Sequence, residues 1–103
     1  MNSTRRKAIE ALLDRARVAL TQLENLPDVD DIKTEAKALR DEEQEYYDNM
    51  PEGLQAGEKG EAANEAAEQL GIAHDKLEEI ADAITTLRDN MQEAIDALES
   101  AKG

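Results

Sequence analysis

Apolar residues recur along this chain at alternating steps of three and four, the spacing of helices with one buried side. Near the start the stripe is Ile9, Leu13, Ala16, Leu20 and Leu23, widened by Leu12 and Leu26. It predicts a helix over about residues 4–26, with Ser3 or Thr4 as its cap. Pro27 has no amide hydrogen and biases Leu26 away from helical angles, so the helix stops there. Asp28-Val29-Asp30-Asp31 then offers N-caps for a second helix over about 31–49. Its apolar side reads Ile32, Ala36, Leu39, Tyr46 and Met50, with Glu43 where that side wants an apolar residue. Glu43 has three open readings: it snorkels, it pairs with a Lys or Arg, or it belongs to a site.

The strongest periodicity follows. Leu70, Leu77, Ile84, Met91 and Leu98 hold one heptad position, and Ala73, Ile80, Leu87, Ala94 and Ala101 hold the other. Ala63 and Ala66 extend the pattern backwards. Heptads sustained without a slip have the form of a coiled coil and predict one helix over about 60–101. The first two helices, laid end to end, roughly match its length. The fold expected is therefore all-α: a long antiparallel helical hairpin with its first arm kinked near Leu26–Asp31, in a single domain. Two such hairpins pair into a four-helix bundle in the favoured reading. The rival is a compact three-helix bundle.

Between the helical segments lies Tyr46-Tyr47-Asp48-Asn49-Met50-Pro51-Glu52-Gly53-Leu54-Gln55-Ala56-Gly57-Glu58-Lys59-Gly60. It holds both tyrosines, one of the two prolines and three of the five glycines. A turn is expected over 50–60. Yet Gly53, Gly57, Gly60, Asn64, Ala67 and Gly71 are spaced 4-3-4-3-4, which makes a smooth stripe if this segment is helical. Each glycine costs a helix about 1 kcal/mol relative to alanine. Either a helix packs closely on the stripe, or a ligand occupies it, or the segment is a loop. Adjacent helical residues point about 100° apart, so one of Tyr46 and Tyr47 can enter the core while the other faces out. Candidate ligand- or partner-binding residues are Tyr46, Tyr47, Asn49, Pro51, Gly53, Gln55, Gly57, Lys59, Gly60 and Asn64.

Composition narrows the chemistry. The 103 residues include no Trp or Phe, so the core is aliphatic and small, which suits helix-on-helix packing and favours an oligomer. With 25 acidic against 12 basic residues the net charge is −13, which repels nucleic-acid phosphates and anionic membranes. A basic partner, including a protein groove built for DNA, would be attracted instead. There is no cysteine, hence no disulfide and no thiolate chemistry. The basic start runs into Ala8-Ile9-Glu10 without an apolar run, so a signal peptide is not expected and a cytoplasmic location is.

Catalysis, metal ligation and a cofactor are not expected. His74 is the sole histidine, and Gly71 stands where a helical Glu-x-x-His pair needs its carboxylate. Ser3 and Ser100 lie near opposite ends. Asp28-Val29-Asp30 begins like a calcium loop, but Lys33 and Leu39 occupy the positions where that loop needs glycine and glutamate.

The stretch from Glu43 to Gly60, with its Tyr-Asp-Asn-Met-Pro-Glu-x-Leu-Gln-x-Gly-x-x-Gly turn, resembles a group of small acidic helical proteins of phages and prophages. The likeness covers the turn and the helix after it, and it carries over no catalytic residue. It implies a viral setting, where small non-enzymatic proteins often act against host defences. The leading expectation is thus an oligomeric scaffold, a dimer by preference. It would capture a small anionic signalling molecule or a host defence protein at Tyr46–Gly60, as a nucleotide-signal sponge would. The alternatives are an acidic nucleic-acid mimic and a purely structural coiled-coil assembly protein.

Overall fold

The computed structural model describes residues 3–103. Four helices account for nearly all of them: α1 (Ser3–Glu24), α2 (Val29–Asp48), α3 (Glu52–Gln55) and α4 (Glu58–Lys102). No strand is present among the described residues. The chain is a helical hairpin, with α4 as one arm and α1 and α2 as the other, and this disposes of the three-helix bundle.

The break in the first arm follows from its residues. After α1 the amide of Asn25 still reaches the carbonyl of Thr21 (3.1 Å), but Pro27 has no amide to continue the ladder. Asp28 restarts the helix from an extended conformation (φ −76°, ψ 93°), its Oδ1 accepting the Asp30 amide at 3.0 Å. The orphan carbonyls of α1 are closed from a distance. Arg88 on α4 donates through Nε to the Leu23 carbonyl (2.9 Å) and through Nη2 to that of Glu24 (3.4 Å). The last turn of α1 has no basic residue of its own, so the cation that suits its dipole comes from the other arm.

The chain divides into two packed units, one joining α1 to Asp82–Gly103 and the other spanning Asp28–Ala81. In the first, Leu13 and Ile95 are buried, and Arg17 pairs with Glu99. Residue 17 meets 99 and residue 23 meets 88, so the helices run antiparallel. In the second, Gly60, Ala63 and Ala67 are buried, Gly60 against the backbone of Gln55 in the turn.

Both units use the same pair of heptad positions. Taking a as 9, 16 and 23 in α1, 29, 36, 43 and 50 in and after α2, and 63 to 98 in α4, the inward positions are a and e. On α2 this corrects the expected apolar side. Val29, Lys33, Ala36, Arg40, Glu43, Tyr47 and Met50 face inward, whereas Ile32, Leu39 and Tyr46, all at d, are exposed. One cause lies on α4, where Gly71 leaves room for a long stem. The Arg40 side chain lies over Gly71, where an added Cβ would touch its Cδ at 3.4 Å. On α4 the row Leu70, Leu77, Ile84, Met91 and Leu98 is half-buried as expected, but Ile80 and Leu87 of the second row are exposed.

Charge is sorted by the same register. Every Asp and Glu of α1 and α4 falls at b, c or f, and each f position of α4 from Glu61 to Asp96 is acidic. No helix among the described residues is long and apolar enough to cross a membrane.

Candidate functional site

The segment after α2 is a built turn rather than a slack loop. Asn49 ends α2, its amide bonded to the Glu45 carbonyl at 3.0 Å. The amide of Met50 then turns back to the carbonyl of Tyr47 at 3.1 Å. Pro51 (φ −57°, ψ 147°) fixes the change of direction, and its carbonyl accepts the amides of Leu54 (2.9 Å) and Gln55 (3.0 Å) to open α3. Gly57 closes that turn on Leu54 (3.1 Å), and its own carbonyl receives the Glu61 amide (3.0 Å) as α4 begins.

Two contacts lock the turn. The side-chain amide of Gln55 donates to the Tyr47 carbonyl at 2.9 Å, so one oxygen at the end of α2 holds both Met50 and α3. Gly60 is buried against the backbone of Gln55, and a Cβ there would collide with the Gln55 carbonyl. Close packing thus explains Gly60, although the neighbour is the turn itself and not another long helix. The other two glycines differ. Gly53 has open space where a Cβ would point, and Gly57 has ordinary contact distances.

Of the residues singled out in the sequence, Tyr47, Gln55 and Gly60 are brought together by these contacts. The tyrosines diverge as their spacing requires: Tyr47 is half-buried and Tyr46 is exposed. Asn49, Pro51, Gly53, Lys59 and Asn64 are exposed around the turn, and Gly57 is half-buried. What the arrangement offers a partner is a phenol, amide side chains and one ammonium on a fixed backbone.

A second cluster went unnoticed in the sequence. His74, Asp75 and Glu78 bring three ligand atoms within 4.8 Å of one another, with His74 Nδ1 3.1 Å from Asp75 Oδ1. The i, i+4 spacing of His74 and Glu78 on a helix was the signal for it. Its carboxylates are exposed, and nothing else about them points to an ion.

The Asp41 carboxyl is displaced from its ordinary protonation. Desolvation pushes its carboxyl upward, but hydrogen bonds from Arg40 and Lys37 and the charges of both outweigh this and hold it below its ordinary value. That is ion pairing on an exposed helix face rather than an acid–base device. Compared with protein-family models, curated proteins and solved structures, the chain matches none.

Proposed function

We propose that this is a non-catalytic binding protein of the phage type. In this reading it is an oligomeric helical scaffold that sequesters a ligand or host factor at the Tyr46–Gly60 turn, in the cytoplasm, as a counter-defence inhibitor. The observation that supports it most is the fixation of the turn. A mere connector needs neither the Gln55–Tyr47 hydrogen bond nor a glycine pressed onto the backbone of Gln55. A recognition surface needs both, because ordering it beforehand lowers the entropy cost of binding. The concrete version is capture of a small anionic nucleotide signal, with Lys59 as its cation and the exposed side-chain amides of Asn49 and Asn64 as hydrogen-bonding partners.

A thermal-shift panel of linear and cyclic nucleotides, with a pull-down from host lysate, tests it. The expected result is one ligand or partner whose binding is lost in Lys59→Ala and Asn49→Ala. Binding that survives both substitutions, or no ligand and no partner at all, would reject the turn as the site.

The acidic f row of α4 favours a second reading, in which carboxylates imitate nucleic-acid phosphates toward a basic host protein. That binding would weaken steeply with salt and would survive loss of Tyr46 and Lys59.

A further inference from the structure

A helix that buries a and e leaves d about 80° round on the a side of the contact. When two antiparallel helices do this with the same letters, their d rows fall on the same flank of the pair and their b rows on the other. The Arg17–Glu99 ion pair bears this out, because both residues sit at b and meet across one flank. The opposite flank of that unit therefore carries Leu12 of α1 near one end and Leu87 of α4 near the other. By the same rule the flank of the other unit carries Ile32, Leu39 and Tyr46 of α2 beside Ile80 of α4.

These six side chains are exposed by 46% (Leu12) to 54% (Tyr46). We infer that a second copy of this chain covers these d-position flanks, each unit laying its flank against a copy of the same surface to make a four-helix layer. This deepens the oligomeric half of the proposal above and stands without the turn-end half.

Three observations select a second copy as the occupant. The first is charge. On α1 and α4 no acidic residue lies at d or g, although the chain carries 25 of them, so this flank has been kept free of the charge that fills the other. On α2, Glu35 and Glu42 at g rim the flank, and the cation at the same letter in that unit, Lys76 on α4, has the sign to meet them. The second is area. The chain exposes 7412 Å², whereas a compact monomer of 11.4 kDa exposes about 5,800 Å². The surplus is about 1,600 Å², enough for the roughly 800 Å² per partner that a stable interface buries. The third is register. The d row continues along α4 from Ala73 to Ala101 without a break, which is what an isologous helix layer requires and a small ligand does not.

Two surfaces with the same exposure but different letters supply the control. Val18 and Ile72 are 59% and 47% exposed at c, pointing away from the helix contact. Light scattering on the purified full chain reads the mass. The wild type is expected at twice 11.4 kDa, Ile80→Glu with Leu87→Glu at a single chain's mass, and Val18→Glu with Ile72→Glu unchanged.

Should the Glu pair unfold the chain, single cysteines in this cysteine-free protein replace it. A nitroxide at Leu87→Cys is expected to be several-fold less accessible to a soluble paramagnetic relaxant than one at Ile72→Cys. A wild-type monomer, a dimer that survives the glutamates at Ile80 and Leu87, or equal accessibility at the two labels would each overturn the inference. None of these readouts touches Asn49 or Lys59, so its failure is separable from failure of the turn.

Discussion

Gly60→Ala and Gly53→Ala make the same chemical change one short helix apart, and the structure gives them opposite signs. In a helix, alanine is about 1 kcal/mol better than glycine. At Gly53 nothing lies within 4 Å of the new methyl, so up to that stabilisation is expected. At Gly60 the methyl meets the Gln55 backbone, which cannot turn aside as a flexible side chain would. Moving it displaces α3, held by the Leu54 and Gln55 amides on the Pro51 carbonyl. Overpacking of this kind costs about 1–3 kcal/mol. Loss of the Gln55–Tyr47 hydrogen bond adds about 1 kcal/mol. After subtracting the propensity gain, Gly60→Ala is expected to destabilise by about 1–3 kcal/mol. Urea unfolding followed by circular dichroism checks this, at one fixed protein concentration so that any self-association enters every variant's apparent stability at the same concentration. A Gly60→Ala protein as stable as the wild type would refute the close-packed turn.

Other residues make their own tests. Arg88→Ala should cost about 1–3 kcal/mol in the same assay, since two carbonyls at the end of α1 lose a charged donor, and Arg88→Lys should recover only part of it. Asp28→Ala should cost about 1 kcal/mol through loss of the α2 cap. Asp41 should titrate by NMR below an ordinary aspartate. Because its folded value is depressed, its contribution is present above the unfolded pKa and fades as pH falls through the folded one. In Lys37→Ala the titration should move back up.

Much of the architecture was legible. Pro27, the Asp28 cap and the heptads of α4 specify where helices break, restart and run on. The inward side of α2 was not, because Ile32, Leu39 and Tyr46 outrank Lys33 and Arg40 on any hydrophobic reading. The single chain packs Arg40 over Gly71, a fit that depends on the partner helix and leaves the hydrophobes outside. At the turn, glycine spacing suggested one smooth stripe. The structure divides it: Gly60 is a contact and Gly53 is open, a difference set by where α3 passes and not by period.

Whether a second copy covers the d-position flank that a single chain leaves exposed is read from the mass in solution. Sedimentation equilibrium across a range of salt tests it most directly. Two copies bring like charges of −13 together, so association should tighten as salt screens them, with the mass approaching twice 11.4 kDa. A mass that stays at 11.4 kDa at every concentration and salt would contradict it.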